Sequence, residues 1–402
     1  MSTVAIDLQA TIDAAPAWSE VVIPPGLHVV SQPLTLRRPI RLSGFGAVLS
    51  LAAAMPSLLI VASNWVTLSG LLLKGLQFVT RRDEDGIRVI GTSAQSPITN
   101  FTLDSCEVES FGGNGLLMRY VTGFNLLGNS IHDCFYSGIQ AQSCTYGEIR
   151  RNTVANIVGS PNAYGITLTR QTGNPGELTT DPHSGYVRVL DNDLSDVPNW
   201  SGLDAHAGHD FLFEANSIMR CKLPISVGAC KDSTGTYKYA PHRVEVLGNS
   251  MDSESVGQNG IVLTGCANSL GDPTEDRATE CVIDGNTIHR CGNPANPRVG
   301  GIHVYGTSGL LIQGNNIVEP SPHGIVLYHD NFDVAVEDNT ITDPWRPLAG
   351  GLNDALGIYG ADKYNTGRAV GNRLVRGLKV APLVGTKLIY VLNHPTNNVV
   401  VA

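Results

Sequence analysis

FNLLGNSI at residues 124–131 returns as FLFEANSI at 211–218, VEVLGNSM at 244–251, CVIDGNTI at 281–288, LLIQGNNI at 310–317 and VAVEDNTI at 334–341. Looser copies fall into the same frame: FTLDSCEV at 101–108, GEIRRNTV at 147–154, VRVLDNDL at 187–194 and GRAVGNRL at 367–374. One place in the phrase is held by Asn129, Asn152, Asn192, Asn216, Asn249, Asn286, Asn315, Asn339 and Asn372, and by Cys106 in the first copy. Successive copies stand 23, 23, 40, 24, 33, 37, 29, 24 and 33 residues apart. A floor near 23 with irregular excess describes a coil of fixed circumference that carries insertions on its outside.

Alternation at period two inside each phrase makes these strands and not helices. An Asn at a fixed corner tolerates the left-handed backbone of a tight turn, and its amide can bond to the Asn of the neighbouring coil. Between the phrases runs a second element that opens on Gly, as in GIRVI (86–90), GLLMRY (115–120), GIQAQ (138–142), GLDAHA (202–207), GIHVY (301–305) and GIVLYH (324–329). A third, less regular strand completes each turn. The pattern predicts an all-β, right-handed parallel β-helix with three strands per coil and about a dozen coils. Residues 1–20 read as an N-terminal capping helix, 21–380 as the β-helix and 381–402 as strands that close it.

The chain has 402 residues with 44 Gly, 22 Pro and only 6% aromatics, which suits many short strands joined by turns. A net charge of −9 provides no basic field, so nucleic acid is not an expected partner. The N-terminal stretch lacks the basic start and apolar run of a secretory signal, and no run is apolar enough for a membrane span, so a soluble, leaderless protein is expected. The eight cysteines form no CxxC pair. Cys134, Cys221 and Cys291 end matching phrases and read as small apolar residues stacked in a core, with no metal site and few or no disulfides.

Alternate residues of the Gly-led strands should face solvent in two columns. One carries Arg88, Leu117, Gln140, Thr167, Asp204, Ser226, Val262, His303 and Val326; the other Arg119, Gln142, Thr169, His206, Gly228, Thr264, Tyr305 and Tyr328. Asp204 and His206 then stand side by side on an exposed polar strip, and Gly228 leaves a gap beside His206. Insertions at 171–185, 231–242 and 268–279 follow these strands and are placed to wall a groove. Arg170, Lys222, Lys231, Lys238 and His242 supply cations there. His209 and Asp210 fall in the turn to the next strand, and the DPH at Asp181–His183 reads as a turn within an insertion.

A short helix over 4–16 followed by VVIPPG at 21–26, together with the Asn-studded repeat, resembles the pectate-lyase-like superfamily. That fold carries lyases, hydrolases, epimerases and non-enzymatic adhesins. SGLDAH at 201–206 resembles the YGFDPH motif of the alginate C5-epimerases, with Ser201 in place of the Tyr and Ala205 in place of the Pro. The resemblance implies that Asp204 and His206 are catalytic; because Ser201 replaces the motif's Tyr, the acid has to come from elsewhere, with Tyr305 and Tyr328 as candidates. Substrate binding is assigned to Arg119, Gln142, Thr169, Arg170, Lys231, His303, Tyr305 and Tyr328. The expected function is that of a lyase or C5-epimerase on a uronate-containing polysaccharide, with no cofactor required and Ca2+ left open.

A glycoside hydrolase is the alternative. It needs a second carboxylate near Asp204, from Glu177, Asp181 or Asp232. A non-catalytic carbohydrate-binding or structural β-helix is the third reading, with Tyr305, Tyr328, Trp345 and Tyr359 as stacking surfaces. The chain also resembles phage tailspike depolymerases, which implies a homotrimer that is virion-associated or acts outside the cell.

Overall fold

A computed structural model describes residues 7–80, 83–170, 177–254, 258–266, 276–293, 296, 299–342, 356–358, 365–375, 389–391 and 398–401. The chain divides into two compact units, 1–193 and 194–402. Each is a stack of parallel coils built from three rows of strands.

In the first unit, the Gly-led row runs Ser57–Val61, Asp85–Ile90, Asn114–Arg119, Ser137–Gln142 and Tyr164–Thr169. The row before each ladder Asn runs Ile98–Asp104, Val121–Leu127, Thr145–Arg150 and Gly185–Leu190. Glu107–Phe111, Ser130–Cys134 and Thr153–Ile157 form the third row. The second unit repeats the scheme, with His209–Glu214 on His242–Leu247, Ser250–Asp252 on Thr287–His289, and Ile261–Thr264 on Gly300–Tyr305.

The Asn column is a buried amide ladder. In the first unit Asn129 donates both its backbone N–H (3.0 Å) and its Nδ2 (2.8 Å) to Oδ1 of Asn152, which does the same to Asn192. In the second unit the same pairs of bonds run Asn216, Asn249, Asn286, Asn315, Asn339 and Asn372. Cys106 can only donate into this pattern, its N–H bonding to Asn129 Oδ1 at 2.9 Å, and it offers no amide oxygen to a preceding coil, so it is the end of the run. The left-handed backbone lies one residue earlier than the sequence suggested. Gly128, Arg151, Asp191, Ala215, Gly248, Gly285, Gly314, Asp338 and Gly371 carry the positive φ. The preceding residue therefore makes the turn, and the Asn satisfies the buried polar groups that the turn leaves.

Inward side chains stack like on like: Leu116 on Ile139 on Ile166, and Phe111 beside Cys134 beside Ile157. Each such fully buried aliphatic or aromatic side chain contributes about 1.5–3 kcal/mol. All eight cysteines are buried free thiols, among them Cys134, Cys221 and Cys291, which end the matching phrases. Burial pushes Cys106, Cys144 and Cys221 up to about 12, so they pack as small apolar groups. At Gly147 a Cβ would fall 2.0 Å from Cζ of Phe124, so the missing side chain makes room for that ring.

The N-terminal helix spans Leu8–Ala14, with Asp7 accepting from the Ala10 N–H, and it buries Leu8 and Ile12. Gln9 covers the strand edge at Thr35, its Nε2 donating to Thr35 O (3.1 Å) and its Oε1 accepting from Thr35 N (2.8 Å). An open edge is thus closed by a side chain. Most of 381–402, and Trp345 and Tyr359, lie outside the described residues. No described helix is long and apolar enough to cross a membrane.

Candidate functional site

Both outward columns hold register. Arg88, Leu117, Gln140 and Thr167 are successive partners in the first unit, as are Ser226, Val262, His303 and Val326 in the second. Their exposure differs from expectation. Gln140, Thr167, Asp204, His303 and Val326 are buried, so the first column is the floor of covered ground and not a solvated strip.

Asp204 and His206 end the long strand Asp193–His206. Their separation of two residues puts both on one side of the strand. His206 Nε2 lies 2.9 Å from Asp204 Oδ2; the carboxylate is 1% exposed and the imidazole 38%. The Asp204 charge raises the His206 pKa, opposed by the ring's burial and assisted by the hydrogen bond. With Nε2–H donating to the carboxylate, the basic lone pair of neutral His206 is on Nδ1.

The pair opens into a cleft of about 380 Å³ within the second unit. Ser226, Val262 and His303 continue its floor, and Gly228 and Thr264 the second column. Gly228 is the gap that the sequence suggested: its carbonyl accepts from Ala207 N, and a Cβ there would meet only Thr264 Oγ1, at 3.3 Å. Tyr305, beside Thr264 in register, closes one side. Burial raises its pKa, so the phenol stays protonated. His303 packs 5.9 Å from the Tyr305 ring and 5.5 Å from that of Tyr328, which backs the cleft without lining it.

Trp200 and Tyr237 form the remaining aromatic walls, and neither was among the expected site residues. Trp200 lies two residues outside the Gly-led phrase, and Tyr237 in an insertion with no periodicity to place it. Only folding shows why the insertion matters: Cys230–Lys231 pairs antiparallel with Tyr237–Tyr239, and this hairpin carries Tyr237 to the cleft. Lys231 Nζ stands 4.9 Å from the Tyr237 ring centroid and Lys222 Nζ 5.5 Å from that of Trp200. Two cations are thereby held against two cleft walls.

The other expected residues fall elsewhere. Arg119 and Gln142 are neighbours in the first unit's row, Arg119 Nε donating to Gln142 Oε1 at 2.9 Å, with Thr169 next in register. Arg170, expected among the substrate-binding cations of the groove-walling insertions, is instead a buried residue directly following its strand. Asp181, expected in a turn, is buried and accepts a hydrogen bond from Tyr120, whose pKa is pushed up to about 12 by burial and that carboxylate. His209 and Asp210 open the next strand, where Asp210 pairs with Arg243. Asp204 is the one carboxylate lining the cleft among the described residues.

Glu107, Glu109 and His132 bring three donor atoms within 4.8 Å of one another on the first unit. Lys74 Nζ already sits 2.7 Å from Glu109 Oε1, and His132 pairs with Glu107 and Asp133. Calcium takes six to eight oxygens. Two carboxylates and an imidazole neutralised by a lysine do not fit it.

The model of the right-handed β-helix region matches residues 70–181 and 173–341. The chain belongs to the right-handed β-helix family. Among solved structures, this β-helix protein is similar to the A-module of the Azotobacter vinelandii mannuronan C-5 epimerase AlgE6, with a TM-score of 0.59 and 17% identity over 98% of this chain and 94% of that one. It is similar to a PL6 alginate lyase in complex with a trisaccharide, with a TM-score of 0.56 and 12% identity over 98% and 92%. The tailspike of E. coli bacteriophage HK620, in complex with a pentasaccharide, aligns with a TM-score of 0.58 and 10% identity over 83% and 60%. At these identities the likeness is one of fold. No individually curated protein matches the sequence.

Proposed function

We propose that the Asp204–His206 cleft is the active site of a polysaccharide lyase or C5-epimerase that acts on a uronate-containing glycan. One observation carries this reading: a buried carboxylate orients an imidazole whose ring opens into a cleft with cation-bearing aromatic walls. The epimerase, lyase and tailspike that share the fold are named with mannuronan, alginate and sugar ligands, which supports a sugar polymer as the substrate class.

The chemistry divides among named groups. Neutral His206 Nδ1 removes the proton from C5, and the electron pair left behind delocalises into the uronate carboxylate. Lys222 and Lys231 offset that charge. In elimination, the pair forms the C4–C5 double bond and O4 leaves with a proton from Tyr305, which is protonated and inside the cleft. In epimerisation, Tyr305 instead gives its proton to C5 from the opposite face, and the phenolate and the His206 imidazolium return to their starting states by proton exchange with solvent. Asp204 holds the His206 tautomer and stabilises the imidazolium, as a buried carboxylate does beside a catalytic histidine. His303 and Tyr237 position sugar rings, and Tyr328 supports His303 from behind. Arg119, Gln142 and Thr169 are proposed glycan contacts of the first unit's row, and the buried Arg170 is not among them.

Hydrolysis with two carboxylates is less well supported. Asp181 is committed to Tyr120, and Asp232 is exposed and caps its own turn at Thr234 and Thr236. The test is incubation with mannuronan, alginate and other polyuronates. Ultraviolet absorbance of unsaturated uronate reports a lyase, and altered C5 configuration by proton NMR reports an epimerase. New reducing ends without either signal, or activity that survives His206→Ala, would overturn the reading.

A further inference from the structure

One corner of the first unit presents large aromatic side chains where the backbone disfavours them. Trp65, Asn100, Gly123, Tyr146 and Tyr186 occupy equivalent places in successive coils, as the registers of the residues beside them show. Trp18 lies on the same corner, its N–H donating to Pro39 O. All six have positive φ, from 56° to 70°. Only glycine adopts this conformation without cost, and a bulky residue there carries strain of about 1–2 kcal/mol. Four of the six are nevertheless aromatic and exposed: Trp18 71%, Trp65 53%, Tyr146 60% and Tyr186 45%. Strain kept for side chains that the core does not use points to function.

The aromatics form two pairs. Trp18 and Trp65 lie 6.0 Å apart at 53°, and Tyr146 stacks on Tyr186 at 4.7 Å and 1°. Between the pairs the corner carries only Asn100 and Gly123. A Cβ on Gly123 would come within 3.3 Å of Asn100 Oδ1, so glycine keeps this stretch open. Trp65 and Tyr146 are three coils apart, roughly 14 Å. Beside the tryptophans is a cleft of about 440 Å³, and Thr67, Thr102 and Asn125, partners in register, supply hydroxyls and an amide to it. Its two charges, Arg41 and Glu20, neutralise each other at 3.4 Å.

We propose that this corner is a second, non-catalytic glycan-binding site that takes an uncharged, hydroxyl-rich stretch of sugar chain. Aromatic faces bind the apolar C–H face of a sugar ring, and Asn and Thr side chains pair with its hydroxyls. The self-neutralised ion pair gives no preference for an anion. An aliphatic protein partner would find polar groups across the cleft floor.

The test is affinity electrophoresis of the full chain through gels containing, in turn, dextran, galactomannan, hydroxyethylcellulose and alginate. The expected result is retardation by at least one neutral polymer that persists in His206→Ala and is weakened about tenfold in Trp18→Ala/Trp65→Ala. Tyr146→Ala should weaken it as well. Unchanged thermal melting of these surface variants confirms the fold. The proposal is overturned if no neutral polymer retards the protein, or if retardation survives in the tryptophan variant. It is equally overturned if sedimentation shows a self-associated species that the tryptophan variant dissociates, since the corner is then a contact between copies. Unchanged turnover of polyuronate in Trp18→Ala/Trp65→Ala, alongside the lost retardation, separates this site from the cleft of the second unit.

Discussion

Asp204 Oδ2 accepts from His206 Nε2 at 2.9 Å, a buried carboxylate against a ring that is 38% exposed. The carboxylate raises the imidazole pKa above its ordinary 6.5. The base form then prevails only above that raised value, so the limb of kcat/KM that rises with pH is expected to have its midpoint above 6.5. Asp204→Asn should move that midpoint down and lower kcat, and His206→Ala should lower kcat about a hundredfold or more. The pH–rate profile of each variant checks this. In stability the sign is opposite. The pair's contribution is complete below the unfolded pKa and is lost as pH rises through the raised folded value, which melting of wild type and His206→Ala across pH will show.

Gly228 is a vacancy in the cleft and not a backbone necessity, because its φ is unexceptional and a Cβ would meet only the Thr264 Oγ1, at 3.3 Å, which must shift by a few tenths of an ångström. Gly228→Ala is expected to fold normally with little change in KM. Gly228→Leu should fill the space beside His206 and raise KM at least tenfold with unchanged melting. Steady-state kinetics on a soluble oligouronate measure both.

Asn286 donates to Asn315, Val246 and Asp284 and accepts twice from Asn249. Asn286→Ala leaves buried donors and acceptors unpaired, so it should destabilise by about 3 kcal/mol in urea denaturation. Asn372→Ala, at the part-buried end of the ladder, should cost about 1 kcal/mol.

Asp210 is bound by Arg243 at 2.8 and 2.9 Å and by His209, and Arg243 first, then His209, holds its carboxyl down to about 2. The pair is half exposed, so solvent screening limits it to about 0.5–1 kcal/mol. That contribution is present above the unfolded carboxylate pKa and fades as pH falls toward 2. His209→Ala and Arg243→Ala are expected to leave turnover unchanged, which separates this pair from the neighbouring Asp204 and His206 in the same assay.

Lys74 Nζ is bound to Glu109 Oε1 at 2.7 Å, which offsets the charge of the group formed by Glu107, Glu109 and His132. Calorimetric titration with Ca2+ is therefore expected to show no binding that Glu109→Gln abolishes.

The coil architecture was legible because it is written locally and repeatedly. Nine asparagines at one frame, and strands alternating at period two, leave one way to stack a 23-residue turn. The same regularity put Asp204 and His206 in adjacent columns. It misplaced the turn strain by one residue, because Asn satisfies both explanations and only φ separates them. It also took facing outward to mean facing water, whereas Asp204, Gln140 and His303 are covered.

The amino-acid sequence by itself determined the repeat, the strand phase and the chemical pair, since period and residue type are local properties. Only the tertiary structure decided what surrounds that pair. Tyr237 reaches the cleft through a hairpin and Trp200 from within the strand that carries Asp204, and Lys231 and Lys222 stand over those two rings. Insertions have no period, so their side chains acquire a place only when the coils beneath them pack.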